Sequence, residues 1–428
     1  MQRLPVVRSL LHRRNFRALY STRLVGQFGD GFFQAALASF VLFSPEREPN
    51  ATAIAVAFGI LLLPYSLVGP FAGVFLDRWL RRNILVRANL LKALLTIPVI
   101  AAVLAGSESV ILGVCVLVVL GVGRFILSGL SASLPHVVSG KELIYANALT
   151  PTSGTIAFVV GATTGLGIRQ VFGGGDSGSV ALLLFSIGTF ISAALIARTF
   201  AHHALGPTHQ LKASMVDSLR GVTGDLLSGI RTLNSHGDAA RALTLVAGNR
   251  ISFGVITAGA LLLLRNTFHL NSNADAALAD FAILSGFAAT AALIAAIVTP
   301  WITRKIGIPH WSALTVAQAA IGMGVFALAA TQQSYPLLLL AGFSLGFAGQ
   351  AVKVCSDTVI QRKIPDESLG RVFSLFDMSV NVALVCGIIM VALLAPVTGV
   401  APLLYTGVGL GLALASVWYW RTGRKKPN

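Results

Sequence analysis

Charged and amide side chains interrupt several apolar stretches of the sequence, and their spacing indicates where chemistry is possible. In the first stretch, four of them recur at intervals of four, three and four residues: Arg23, Gln27, Asp30 and Gln34. Side chains three or four residues apart lie on one face of a helix, so these four predict a single polar stripe. An ionisable group is costly inside a membrane span and is by default a functional candidate. We therefore expect Asp30 to bind a proton or a substrate, with Arg124 of a later stretch as its counter-ion.

Other apolar stretches also carry charges. Arg250 stands in a run of its own, and a second polar stripe is formed by Gln350, Lys353, Asp357 and Gln361. Two interpretations of Lys353 stay open: an ion pair with Asp357, four residues further on, or contact with a substrate or proton. Lys92 has a stem long enough to reach the inner membrane interface, and we expect its ammonium group to lie there.

The composition indicates the solvent in which these residues lie. Of 428 residues, 55% are hydrophobic and 11% are charged, and the mean hydropathy is +0.78, whereas a soluble protein is about 25% charged. A soluble enzyme or nucleic-acid-binding protein is therefore excluded. The three cysteines have neither CxxC spacing nor a neighbouring histidine, so we expect no metal site and no disulfide framework. The sequence also lacks a phosphate-binding loop, which argues against ATP hydrolysis within the chain.

Twelve apolar runs are long enough to cross about 30 Å of hydrocarbon as helices. None alternates apolar and polar residues as a β-barrel strand does. The predicted fold class is an all-α membrane protein with twelve transmembrane helices. The predicted spans are 19–43, 51–76, 84–105, 109–133, 149–172, 179–198, 242–264, 276–301, 309–330, 336–360, 371–396 and 400–421.

The basic residues predict the orientation of these spans. With both termini on one side, 25 of the 32 lysines and arginines fall in the loops and tails of that side, three on the opposite side and four within spans. Positive charge marks the cytoplasmic side, so both termini are predicted to be cytoplasmic. Topology thus accounts for the net charge of +16 without a nucleic-acid partner. The basic N-terminus lacks a cleavage site, and the first span is expected to be a retained anchor.

One long loop divides the chain into two halves of six spans. The predicted units are an N-terminal bundle 1–198, a cytoplasmic linker 199–241 and a C-terminal bundle with a basic tail 242–428. Within the linker, apolar residues recur at helical spacing: Val216, Leu219, Val222, Leu226, Ile230 and Leu233. They predict an amphipathic helix at the membrane interface. Its role stays open between a tether for the two halves and a regulatory element.

A motif after the second span carries a family resemblance. The sequence Gly73-Val-Phe-Leu-Asp77-Arg78-Trp-Leu-Arg81-Arg82 resembles the signature of the major facilitator superfamily, without the second glycine of the pattern. Thr299 to Gly307 forms a degenerate copy in the second half, with Thr303 in place of the acid. The resemblance implies two six-helix pseudo-repeats that alternate access to a site near the membrane midplane. It places the substrate and proton cavity at Gln27, Asp30, Gln34, Arg124, Arg250 and Lys353.

The same resemblance implies a cytoplasmic gate. Its expected residues are Gly73, Asp77, Arg78, Arg81, Arg82, Asp357, Arg371 and Asp377. Asp77 is expected to cap the helix that begins near Gly370 and Arg371, since a carboxylate is favoured at a helix N-terminus. Asp377, with Ser374 and Asn381, is interpreted as part of this gate; a role in binding is the alternative.

Three further stretches resemble the macrolide-efflux and enterobactin-exporter-like branch. They are Arg14 to Asp30, Leu134 to Ala148 and Gln361 to Asn381. The antiporter signature of the family's fifth helix is represented by Gly154, Gly161, Gly165 and Gly167, without its proline. The resemblance implies a monomeric proton-coupled exporter of an amphipathic small molecule in the plasma membrane, with no cofactor except the coupling proton.

The cavity charges extend this expectation to the ligand. Arg124 and Arg250 outnumber Asp30 if Asp357 is engaged by Lys353, and buried charge needs compensation. We therefore expect an anionic or zwitterionic amphiphile. A uniporter or importer, including a lysophospholipid-flipping protein, is the alternative within transport. A membrane-embedded enzyme or inactive scaffold is the alternative outside it.

Overall fold

The structure is a computed structural model that describes residues 3–37, 52, 75–76, 79–105, 110–172, 175–206, 222–269 and 274–422. The described part of the chain is helical and contains no strand. Its helices are α1 Arg3–His12, α2 Arg14–Leu37, α3 Arg81–Leu104, α4 Val110–Ser133, α5 Leu143–Val171, α6 Gly175–Arg198, α7 Val222–Ser235, α8 Gly237–Leu263, α9 Ala274–Ile306, α10 Ile308–Gln332, α11 Tyr335–Lys363, α12 Asp366–Leu394 and α13 Pro402–Thr422. A 3₁₀ turn, Leu134–His136, follows α4, and a π-helical turn, Leu264–Phe268, follows α8.

Ten of the described helices are long and apolar enough to cross a membrane: α3 to α6 and α8 to α13. They coincide with ten of the twelve predicted spans. The first predicted span corresponds to α2, whose polar stripe makes it less apolar than the others. The second predicted span, 51–76, lies almost wholly outside the described residues. The all-helical membrane class is confirmed, and the count of twelve stays a prediction.

Glycine and proline separate consecutive helices. Gly307 stands between α9 and α10 at a φ of 83°, a conformation that glycine adopts without steric cost. Pro309 follows within the first turn of α10, where its missing N–H costs nothing. Pro365 directly precedes α12, and the residue before a proline disfavours helical geometry. These residues let long helices reverse direction within a few residues.

The chain forms two compact units. The first contains residues 1–43, 63–235 and 361–378, and the second contains 44–62, 236–360 and 379–428. The end of α11 and the start of α12 thus belong to the first unit. The predicted division at 198 and 242 stays a prediction.

Small residues bring helices into backbone contact within each unit. A methyl group at Gly31 of α2 would overlap the carbonyl oxygen of Phe158 in α5, and one at Gly161 would overlap that of Phe28. In the second unit, Gly254 and Gly387 face the backbones of α12 and α8 in the same way. Small residues at such contacts allow the backbones of helices in a membrane to approach closely.

The linker helix α7 packs on the start of α12 in the first unit. Arg371 donates a hydrogen bond of 2.7 Å to the Ser228 hydroxyl. A methyl group at Gly229 would lie 2.9 Å from the Leu375 side chain. Leu233 is buried, whereas Ile230 is exposed. The structure has a helix over Val222–Ser235, while Val216 and Leu219 lie outside the described residues; an amphipathic helix at the membrane interface stays a prediction.

Candidate functional site

A cavity of about 200 Å³ lies among α2, α3, α4 and α5 of the first unit. Four of the six residues predicted to form the substrate and proton site line it: Gln27, Asp30, Gln34 and Arg124. The other lining residues are Lys92, Leu120, Gly123, Leu127, Thr155 and Phe158. The cavity therefore combines an apolar wall with a few polar groups, as sites for small molecules generally do.

An ion pair crosses this cavity from α2 to α3. The Lys92 ammonium group donates a hydrogen bond to the Asp30 carboxylate. It also lies 4.3 Å from the centroid of the Phe190 ring, where the negative face of the ring favours a cation. The Lys92 side chain is 3% exposed, so the prediction that it extends to the membrane interface is wrong. A carboxylate and an aromatic face compensate its charge inside the protein, and the role of Arg124 as a counter-ion of Asp30 stays a prediction.

Arg124 is the first residue of another row of polar side chains, which lies on α4. Ser128 and Ser131 follow it at helical spacing, and each bonds to another element. Ser128 donates to Asp377 of α12 at 2.6 Å, and the Ser131 hydroxyl accepts from Arg23 of α2 at 3.3 Å. The row thus runs from the cavity wall into a buried polar network.

Gln361 at the end of α11 joins this network. Its side-chain amide donates to the backbone carbonyl of Ser131 at 3.0 Å and accepts from Asn147 of α5 at 2.6 Å. Asn147 and Gln361 are both buried. Because a buried amide left unpaired is costly, these bonds fix the end of α11 on α4 and α5.

Arg81 is the centre of a separate buried cluster. Its guanidinium group donates to Asp366 of α12 at 2.9 Å and to the carbonyl oxygens of Ala132 at 3.0 Å and Leu76 at 3.2 Å. The His136 ring nitrogen Nε2 lies 2.9 Å from the same Asp366 oxygen and 3.1 Å from Arg81. The Arg81 nitrogen Nη1 carries two hydrogens, and the Asp366 carboxylate and the Ala132 carbonyl oxygen accept from it. The His136 nitrogen Nε2 is therefore best assigned as a donor to Asp366 and not as an acceptor from Arg81. The cluster holds the N-terminus of α12.

The remaining predicted gate residues are partly described. Gly73, Asp77 and Arg78 lie outside the described residues, so the capping role of Asp77 stays a prediction. Arg82 donates to the carbonyl oxygen of Arg198 at 2.8 Å, and Arg371 bonds to α7.

The second unit contains the other predicted charges. Lys353 donates to Asp357 at 2.7 Å, which confirms the interpretation of an ion pair between neighbouring turns of α11. The Arg250 guanidinium carbon lies 5.8 Å from the centroid of the Phe253 ring. Among the residues that the structure describes, no group of three His, Cys, Asp or Glu side chains is arranged to hold a metal ion.

Sequence relatives identify the family. No protein-family model matches the chain. An uncharacterized MFS-type transporter of Mycobacterium bovis is 35% identical over 399 residues, which is 93% of this chain and 88% of the relative. An uncharacterized MFS-type transporter of Mycobacterium tuberculosis matches to the same extent. The chain belongs to the major facilitator superfamily.

Solved structures agree with this assignment at the level of the fold. The human organic anion transporter MFSD10 (TETRAN) has a TM-score of 0.71 at 15% identity and covers 94% of this chain and 99% of its own. A bacterial homologue of the iron transporter ferroportin in an outward-facing state has a TM-score of 0.69 at 15% identity, with coverage of 95% and 99%. The chain is therefore a multi-pass membrane protein with the fold of a major facilitator transporter.

Sequence reasoning missed three residues of this transporter's polar clusters. Lys92 was located in a span but was assigned to the interface, because spacing along one helix does not show a partner on another. His136 and Asp366 were not singled out. The signal in the sequence is weak: a histidine directly after Leu134-Pro135 and an acid directly after Pro365.

Proposed function

We propose that the chain is a secondary transporter that exports an amphipathic small molecule across the plasma membrane in exchange for protons, by alternating access. The observation that carries the proposal is the Lys92–Asp30 ion pair inside a cavity with polar and apolar walls. A carboxylate in an apolar span is costly. Asp30 lines the cavity, where it could bind a proton or a ligand. Membership of the major facilitator superfamily supports the general function.

The proposed coupling is a competition for Asp30. A proton on Asp30 removes the negative charge that holds Lys92, and a cationic group of the ligand would replace Lys92 at the carboxylate. Proton and ligand then exclude one another, which is the condition for exchange. The protonated and deprotonated states of Asp30 must differ in their affinity for the ligand if proton and ligand transport are to be coupled. This difference must hold whichever side of the membrane the cavity faces.

Of the two expected ligand classes, anionic and zwitterionic amphiphiles, we propose the zwitterionic one, because only a zwitterion has a cationic group that can compete with the proton for Asp30. The cavity is lined by one acid, Asp30, and two bases, Lys92 and Arg124, so an acidic group on the ligand would balance the charge. Gln27 and Thr155 supply hydrogen-bonding groups, and Phe158 supplies part of the apolar wall. A zwitterion satisfies both the acid and the bases. The resemblance to the macrolide-efflux and enterobactin-exporter-like branch supports export of such a molecule.

The proposed gate is formed by the signature motif and the start of α12. Arg81 holds Asp366 there, and Asp77 is proposed to cap the same helix. With both termini in the cytoplasm, as the distribution of basic residues supports, the gate would close the cytoplasmic side. We expect Asp77→Asn to lower turnover while leaving ligand affinity unchanged, because a helix cap acts on the gate and not on the bound ligand. Unchanged turnover in vesicles would contradict this role.

The test begins with ligand identification. Matched anionic, zwitterionic and cationic amphiphiles are screened for thermal stabilisation of the detergent-purified protein. The best ligand is then offered to proteoliposomes with and without a pH gradient, while internal pH is recorded. Proton-coupled exchange predicts accumulation that requires the gradient and a matching proton flux. Equilibration without proton movement would instead support a uniporter or a lipid-flipping protein.

A further inference from the structure

Two glycines beside the cavity differ from the packing glycines of this fold. At Gly31 and Gly161, an added methyl group would meet the backbone of a neighbouring helix. At Gly123 and Gly154, it would instead meet the polar tip of a long side chain. The first kind allows helices to approach, whereas the second leaves space for particular functional groups.

Gly123 lies beside the ion pair. It belongs to α4, lines the cavity and directly precedes Arg124. An ideal Cβ at this position would lie 2.9 Å from the Lys92 nitrogen Nζ and 3.5 Å from its Cε. The Lys92 ammonium group is thus seated against the bare backbone of Gly123, with Phe190 and Asp30 as its other neighbours.

Gly154 has the same relation to the polar stripe of α2. It belongs to α5, and a Cβ there would overlap the side-chain oxygen of Gln27 and lie 3.3 Å from the Arg23 Cδ. Gln27 is one of the cavity residues. Helices α4 and α5 therefore each provide a glycine beside the end of a cavity side chain: Gly123 beside Lys92, and Gly154 beside Gln27.

We propose that Gly123 and Gly154 are positioning residues of the transport cavity, which seat Lys92 against Asp30 and Gln27 against the ligand space. The inference rests on the proposed function of that cavity. The overlapping atoms lie at the ends of flexible side chains, so an added methyl group moves the side chain and leaves the helices in place. Alanine is also the better helix former. A substitution should therefore disturb the geometry of the site and spare the fold.

The first measurement is independent of transport. Lys92 is acylated with a small amine-reactive ester, and its modification is followed by mass spectrometry. In Gly123→Ala, Lys92 should react about threefold faster or more, because its ion pair opens more often. Gly167→Ala is the matched control, since a methyl group there meets no atom within 4 Å. Equal reactivity in Gly123→Ala and the wild type would overturn the inference.

The second measurement asks whether Gly123 acts through Lys92. Gly123→Ala should lower the exchange rate about tenfold and alter its pH profile, with an unchanged thermal midpoint. In a Lys92→Met background, Gly123→Ala should have no further effect, because residues that act through one interaction are not additive. Equal effects in both backgrounds would indicate a role in packing and overturn the inference. If Lys92→Met itself transports normally while Gly123→Ala still exposes Lys92, the proposed function fails and the positioning of Lys92 stands.

Discussion

At the scale of single residues, the Lys92–Asp30 pair places two opposite charges in the cavity. Lys92 is almost completely buried, and Asp30 is partly buried. Removing one partner of such a pair leaves the other charge uncompensated, which costs more than the pair contributes. The pair is therefore a point at which the fold is vulnerable.

Lys92→Gln should accordingly destabilise the protein. We expect a loss of about 3 kcal/mol in unfolding free energy, and the double variant with Asp30→Asn should recover most of it because no charge is then left unpaired. Thermal unfolding in detergent measures both. Lys141→Gln, at an exposed loop position, is the control. A Lys92→Gln protein as stable as the wild type would contradict the buried pair.

Glu142 gives a prediction for the pH dependence of stability. Burial raises the pKa of its carboxyl group, but hydrogen bonds from Ser139 and Arg13 outweigh this effect, and the pKa lies below its ordinary value of 4.5. A carboxyl group with a lowered pKa stabilises the fold above its unfolded-state pKa, and this contribution is lost as the pH falls through the folded-state pKa.

The wild type should therefore unfold at a higher temperature than Glu142→Gln at pH 7, and the difference should close as the pH falls below 4.5. Thermal unfolding of both proteins between pH 7 and pH 3 measures this. Glu367→Gln, at an exposed position, is the control and should show a smaller difference. A gap that persists at acid pH would show that Glu142 acts by packing.

At the scale of elements, α12 is held at its first turn by a guanidinium group. Arg81 is fully buried, and its planar fork reaches several acceptors at once, a geometry that lysine cannot reproduce. Arg81→Lys would leave carbonyl groups such as that of Ala132 without a donor. Each buried group that loses its partner costs about 1–3 kcal/mol.

We therefore expect Arg81→Lys to lower the unfolding free energy by about 2 kcal/mol or more. Arg82→Lys, at the next position, should have a small effect, because Arg82 is less buried and bonds to the carbonyl oxygen of Arg198. Chemical denaturation of both variants in detergent compares them. Equal losses would show that the fork of Arg81 is not what anchors α12.

The contact between α4 and α12 gives a second prediction at this scale. The Ser128 hydroxyl donates to the Asp377 carboxylate at 2.6 Å, one turn from Arg124. In a double-mutant cycle with Ser128→Ala and Asp377→Asn, the coupling energy should be about 1 kcal/mol or more. Ser192, which bonds within its own helix, replaces Ser128 in the control cycle. A coupling near zero in the first cycle would contradict a specific bond between the two helices.

The boundaries of the helices show what an apolar pattern predicts. The predicted span at 149–172 corresponds to α5, which begins six residues earlier at Leu143, and α9 extends beyond its predicted end at 301 to Ile306. The pattern measures the part of a helix that meets lipid, whereas backbone hydrogen bonds continue into polar ends. The positions of the ten apolar helices were therefore predicted, and their full lengths were not.

The partners of the charges required the packed molecule. The Lys353–Asp357 pair was one of the two interpretations that the sequence offered for Lys353, because both residues lie on one helix at a spacing of four. Lys92 and Asp30 lie 62 positions apart in the chain, and Arg81 and Asp366 lie 285 apart. Pairing at such distances depends on which helix faces meet. The sequence alone thus identified four of the ten residues that line the cavity, and it did not identify the contact between Lys92 and Asp30.

At the scale of the whole molecule, Asp30 is proposed to couple ligand export to proton entry. The decisive measurement is accumulation of the identified ligand in proteoliposomes driven by a pH gradient, for the wild type, Asp30→Asn and Asp176→Asn. Asp176 is an exposed acid in the first turn of α6 and serves as the control. Asp30→Asn should lose accumulation against the ligand gradient, while Asp176→Asn should retain it. An Asp30→Asn protein that still concentrates the ligand as the wild type does would contradict the proposed coupling role of Asp30.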